Sequence, residues 1–148
     1  MKIKKFDIRP RYFDSVDELA HEDAIADEQS FSLPQASLRH IIDRSSFAMA
    51  QQDVRYYLNG MLMEVTADSL RAVATDGHRL ATCVTEVSGL AETRQIILPR
   101  KGVLEMAKLL TDPEASVSLS LSANHLRAQT EEFTFTSKLV DGKFPDYS

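Results

Sequence analysis

Asp76 and His78 stand two residues apart in Ala74-Thr75-Asp76-Gly77-His78-Arg79-Leu80, and a carboxylate beside an imidazole can pass a proton or hold a cation. Neither chemistry finds its remaining parts. A metal site takes three or four ligands, whereas Cys83 is the lone cysteine and His21, His40 and His125 stand without a companion motif. The sequence carries no phosphate-cradling glycine loop, zinc signature or nucleophile elbow. In a turn, Asp76 more simply caps the backbone with its carboxylate. The expectation is a chain with no catalytic residues, no metal and no cofactor. An enzyme built on Asp76 and His78 is the competing class, and it requires a turnover that Asp76→Ala abolishes.

The same segment has a stronger structural meaning. Asp-Gly between two β-prone runs signals a hairpin with a type I′ turn, in which both central residues take positive φ. Val73, Thr75, His78 and Leu80 then project from one face near the tip. A mixed polar and apolar tip suits a small recognition site, and the stretch 51–81 is the centre around which the chain is arranged.

The elements that must hold this tip follow from periodicity. Residues 30–33 alternate as a strand, and Pro34 suits the first turn of a helix, where its missing N–H costs nothing. Leu38, Ile41, Ile42 and Ser45 recur at helical spacing and give a buried stripe. Strands are expected over 55–58, 61–66, 69–75 and 78–86, with tight turns at Asn59-Gly60 and Ala67-Asp68. A short strand over 95–98 leads into a second helix opened by Pro99. That helix carries Val103, Ala107 and Leu110 on one side, flanked by Leu104 and Met106. Asp112-Pro113 stops it, because a residue before proline is pushed from helical geometry. Val117, Leu119 and Leu121 alternate against serines over 116–121, and strands over 125–130 and 133–139 complete a meander that Gly142 and Pro145 end.

The order strand, helix, several strands thus occurs twice, without obvious identity between the halves, which marks an internal pseudo-repeat. Two helices on one side of antiparallel sheet define an α+β layer arrangement. Residues 1–29 differ from the rest: Lys2, Lys4, Lys5, Arg9 and Arg11 are followed by an acidic run, and Ser15 could cap a short helix bearing Val16, Leu19 and Ala20. This segment reads as an unassigned N-terminal tail, with 30–148 as the domain.

Composition bounds the rest. At 148 residues, 43% hydrophobic and 26% charged, the chain suits one ordinary globular domain. No apolar run approaches the ~20 residues of a membrane helix, and the basic start lacks the apolar core of a signal peptide, so the cytoplasm is expected and a membrane is not. A net charge of −5, from 17 basic and 22 acidic residues, argues against coating nucleic acid by bulk charge but permits a local basic face.

The segment 52–60, Gln-Asp-Val-Arg-Tyr-Tyr-Leu-Asn-Gly, followed by Thr75-Asp76-Gly77-His78-Arg79-Leu80, resembles the middle domain of bacterial sliding clamps, the β subunit of DNA polymerase III. Phe31-Ser32-Leu33-Pro34-Gln35, Leu98-Pro99-Arg100-Lys101-Gly102 and the 137–147 segment Ser-Lys-Leu-Val-Asp-Gly-Lys-Phe-Pro-Asp-Tyr occur in the family's order, so the resemblance spans 31–147. It implies a DNA-clamp-type domain with two halves, each with one helix packed on antiparallel sheet. It implies a non-catalytic processivity factor that tethers DNA polymerase to duplex DNA.

Partners of the family, the polymerase III catalytic subunit, the clamp loader and repair proteins, insert a short peptide into a cleft between middle and C-terminal domains. By resemblance Leu58, Thr75, Gly77, His78, Arg79, Leu80 and Pro145 form this domain's wall, with Thr75 and Arg79 as flanking donors. Non-specific duplex contacts are implied for Arg39, His40, Arg44, Arg100, Lys101 and Lys108 on or beside the helices, and for Gln52, Tyr56 and Tyr57, although the two tyrosines fit a place in the core equally well. The opposite wall lies in a domain outside this sequence, which implies a half-pocket of weak affinity and no encirclement of DNA by this chain alone. A stand-alone partner-binding or decoy module is the second reading.

Overall fold

The computed structural model describes residues 29–88 and 90–147. The helix expected near Ser15 lies outside them. Eight strands and two helices follow in chain order: β1 (Gln29–Pro34), α1 (Gln35–Ser45), β2 (Gly60–Val65), β3 (Ser69–Thr75), β4 (Leu80–Glu86), β5 (Arg94–Pro99), α2 (Arg100–Leu109), β6 (Ser116–Leu121), β7 (His125–Gln129) and β8 (Thr134–Lys138). Gln29, placed with the tail from sequence, begins β1.

Each helix begins directly after a strand that ends in Leu-Pro. Pro34 and Pro99 stand at N-cap in extended conformation, φ/ψ −62/141 and −58/148, one residue before the first helical turn in which they were expected. Proline's fixed φ serves both the end of the strand and the turn into the helix. On α1 the stripe Leu38, Ile41, Ile42 and Ser45 is buried as the spacing predicts. On α2 the buried residues are Gly102, Val103 and Met106, with Leu110 buried just beyond. Met106, expected as a flank, is central, and Ala107 is only half-buried.

The two halves are interlocked. One antiparallel sheet has the order β1-β6-β7-β8 and the other β4-β3-β2-β5, so the leading strand of each half completes the sheet of the other. β1 runs along β6 from Gln29↔Leu121 to Pro34↔Ser116, and β5 runs along β2 from Arg94↔Val65 to Pro99↔Gly60. The helices lie antiparallel: the N–H of Gln35 at the start of α1 donates to the Ala115 carbonyl beyond α2, and Arg39 donates to the Leu110 carbonyl.

Alternation then divides the β4-β3-β2-β5 sheet into two faces. Met61, Met63, Val65, Leu70, Ala72, Ala74, Ile96 and Leu98 face the main core, shared with both helices and with Phe31, Leu33, Val117, Leu119, Leu121 and Phe135 of the other sheet. Leu62, Val73 and Ile97 face the other way and build a second cluster with Ala50, Leu58 and Phe144, bordered by Tyr57, Val140 and Tyr147.

Three local expectations are corrected. Residues 55–58 are not a strand; Tyr56–Asn59 forms a 3-10 turn. Asn59-Gly60 makes no type I′ turn: Gly60 has φ −134 and already belongs to β2. Its side Asn59 reaches back instead, accepting from the Asp53 N–H and donating to the Asp53 carbonyl, both at 2.9 Å, which closes the loop 50–59. A glycine is still required at 60, because a Cβ there would lie 2.5 Å from the Leu98 carbonyl oxygen across the ladder. Finally, Asp76-Gly77 is not type I′, since among these residues only Gly77 has positive φ, at 93°. The connection is a four-residue loop, and β4 starts at Leu80 rather than His78.

Candidate binding site at the hairpin tip

Thr75 and Leu80 are the cross-strand pair that closes β3 and β4, and alternation puts both on the face of Leu62, Val73 and Ile97. The loop between them is held by its own side chains. The Asp76 carboxylate accepts from the N–H groups of His78 (2.9 Å) and Arg79 (3.1 Å), an Asx-type cap as the sequence suggested. The Thr75 hydroxyl accepts from the Gly77 N–H at 3.1 Å and donates to the Arg79 carbonyl at 2.7 Å. The His78 N–H, then the Arg79 N–H and guanidinium, hold the Asp76 carboxyl below the usual carboxylate range.

Two residues that the sequence did not single out stand against this loop. Arg79 donates to the Asp76 carboxylate (3.3 Å) and to the Phe47 carbonyl (3.0 Å), and its guanidinium carbon sits 5.4 Å from the centroid of the Phe47 ring. Arg55 lies over Gly77: a Cβ added at Gly77 would approach its Nη2 to 3.1 Å. Asp53 fixes that arginine through Nε (3.1 Å) and Nη2 (2.9 Å), so Arg55 lowers the Asp53 carboxyl and Asp53 raises the guanidinium. An Arg two residues after an Asp was the available signal for Arg55. Phe47 offered only its apolar type, beside the buried Ala48 and Met49.

The apolar part of the patch is uneven. Leu58 is buried, 2% exposed, within the second cluster, while Leu80 is 45% exposed and Pro145 follows the buried Phe144 at the surface. Gly77, His78 and Arg79 are exposed and Thr75 is half-buried. The segment 139–147 is strapped to this face by the Val140 N–H, which donates to the Ile97 carbonyl at 2.8 Å, and by Tyr147, whose hydroxyl lies 3.5 Å from Glu64. Burial, then Glu64, raise the Tyr147 hydroxyl. The structure therefore brings Leu58, Thr75, Gly77, His78, Arg79, Leu80 and Pro145 to one face and its end, with the Thr75 donor engaged inside the loop and those of Arg79 on Asp76 and the Phe47 carbonyl.

The residues considered for DNA contact divide into two groups. Arg39, His40, Arg44, Lys101 and Lys108 are exposed on the helices, and Arg100 is half-buried. Arg39 is tied to Asp43 and the Leu110 carbonyl. Gln52, Tyr56 and Tyr57 belong to the loop 50–59: Gln52 is exposed with φ 57°, Tyr56 stands against Gly142, and Tyr57 borders the second cluster. Because Gly60 pairs with Pro99, this loop, the end of α1, the start of α2 and the hairpin tip share one end of the domain. The Asp76 carboxylate meets His78 at its backbone N–H, and no group of three potential metal ligands occurs among the described residues.

Duplicated strand–helix–strand architecture, with an open apolar patch on one sheet face and exposed basic residues on the helices, is that of a DNA-clamp-type domain. The family model for the central domain of the DNA polymerase III beta subunit matches residues 32–146, and the chain belongs to this family. It is 66% identical over 117 residues to the beta sliding clamp of Pseudomonas putida KT2440 and 48% identical over 120 residues to that of Escherichia coli K12. These matches cover 78% and 81% of this chain but 32% and 33% of the relatives, so the chain spans about a third of their length. Among solved structures, the DNA polymerase III subunit beta of Pseudomonas aeruginosa superposes with a TM-score of 0.78 at 61% identity, over 80% of this chain and 33% of that one. The beta subunit of Thermotoga maritima gives 0.75 at 26% identity, over 80% and 32%. A P. aeruginosa DnaN sliding clamp bound to griselimycin gives 0.77 at 61% identity, over 80% and 32%.

Proposed function

We propose that this domain is a non-catalytic docking and tethering module of a cytoplasmic DNA polymerase processivity clamp. Its partners are short peptide segments of the polymerase III catalytic subunit, the clamp loader and other clamp-binding proteins, together with duplex DNA. Peptide docking uses the face bearing Leu80 and Pro145. A Leu or Phe anchor covers Leu80 and the rim of the Leu58–Val73–Phe144 cluster, which sites of this kind need: an apolar floor with a few placed polar groups. The observation that carries the reading is the exposure of Leu80 beside that cluster, on the sheet face the helices leave open.

The helix layer supplies the second half of the role. Arg39, His40, Arg44, Arg100, Lys101 and Lys108 would meet phosphates without reading bases, and such contacts are weak enough to slide. Gln52, Tyr56 and Tyr57 would add contacts from the adjoining loop. The test is a fluorescence-polarisation titration of the chain with a labelled polymerase-tail peptide, alongside Leu80→Ala. The expected result is saturable binding weakened at least about fivefold by the substitution, the loss of one well-buried anchor contact. Absence of binding at millimolar peptide would refute docking by this chain.

A further inference from the structure

Phe47 raises a question that the docking reading does not answer. It is 59% exposed, yet it follows the buried Ser45 and precedes the buried Ala48 and Met49 in the turn after α1. A large aromatic that the core does not use is held at the surface, and its ring face is occupied by Arg79. Arg79 in turn is held at the surface by three contacts: its Nε donates to Asp76, its Nη2 donates to the Phe47 carbonyl, and its guanidinium carbon stands over the Phe47 ring. The loop it belongs to makes no cross-strand ladder bond beyond Thr75↔Leu80, so its position relative to the rest of the domain depends on such side-chain attachments.

We propose that Phe47 is a positioning residue for the docking face, acting through Arg79 to fix the loop Asp76–Arg79 and with it the exposed Leu80. This deepens the docking reading and rests on it. Arg79 then serves as a strut rather than as a donor to the peptide. The attachment joins the turn after α1 to the loop at the end of the β3–β4 hairpin. A ring is needed and not mere bulk, because a guanidinium is drawn to the negative face of an aromatic and not to an aliphatic side chain.

The test uses the full chain with Phe47→Leu, Phe47→Tyr, Arg79→Ala and the double variant Phe47→Leu/Arg79→Ala, each titrated with the labelled polymerase-tail peptide. Phe47→Leu is expected to raise Kd about threefold, the size of an exposed cation–π contact, and Phe47→Tyr to restore wild-type affinity. The double variant is expected to bind no worse than Arg79→Ala alone, because both act through one contact. Loss of affinity in Arg79→Ala with none in Phe47→Leu would overturn the proposal and make Arg79 a direct peptide contact. A second readout stands apart from the peptide: in the free chain the Arg79 Nε–H resonance should carry a ring-current shift that Phe47→Leu removes and Phe47→Tyr keeps. If the wild-type chain binds no peptide, the docking reading fails on the titration, and the Phe47 strut is judged by this resonance; an Arg79 signal unchanged in Phe47→Leu would overturn it.

Discussion

Asp76 shows how a chemically suggestive residue can be spent on architecture. Its carboxylate accepts two loop N–H groups and the Arg79 Nε, while the His78 side chain is exposed. The sign of the pH effect follows from the lowered carboxyl. The ionised form is favoured in the folded loop, so this contribution is present above the ordinary carboxylate pKa and lost as pH falls through the lower folded value. The loop amides of His78 and Arg79 are therefore expected to shift together on the acid side of about pH 4, followed by NMR, and to stay fixed in the neutral range. Leu58 and Leu80 make the complementary pair. Leu58→Ala opens the buried second cluster and should lower stability by about 2–5 kcal/mol in urea unfolding. Leu80→Ala removes an exposed side chain and should change stability by no more than about 0.5 kcal/mol while weakening peptide binding.

At the scale of elements, position depends on close approaches that local pattern does not contain. Gly60→Ala should destabilise by about 1–3 kcal/mol by thermal melting, because the backbone oxygen of Leu98 cannot retreat without breaking the β2–β5 ladder. The helices, β3, β6 and the turn at 67–68 were legible because strong apolar periodicity and proline punctuation agree there. The loop 50–59 was not: Tyr-Tyr-Leu has strand propensity, and what overrides it is the reciprocal bonding of Asn59 with Asp53 across six residues. The same bonding, not a turn preference, explains Asn59-Gly60. Met106 was misplaced because the buried face of α2 is turned from the stripe Val103, Ala107 and Leu110 toward Gly102 and Met106, which leaves Ala107 half-buried.

The whole molecule carries information the sequence pattern held only in part. The duplicated order was readable, but nothing local says that β1 pairs with β6 and β5 with β2, so that each half completes the other's sheet. This exchange predicts one cooperative unfolding transition for both halves, and no stable fold for residues 29–88 expressed alone, as far-UV circular dichroism would show. The residues proposed for docking were placed by family resemblance, whereas the contacts of Phe47 and Arg55 emerge only from three-dimensional neighbours. The division of faces, with basic helices on one side and the Leu80 patch on the other, underlies the account. Its most direct test is a heteronuclear NMR titration of the full chain with unlabelled polymerase-tail peptide. Perturbed amides are expected at Gly77, His78, Arg79 and Leu80, at Leu58, and at Phe144 and Tyr147, with the strands β6 to β8 unmoved. Perturbations confined to α1 and α2, or none at millimolar peptide, would contradict it.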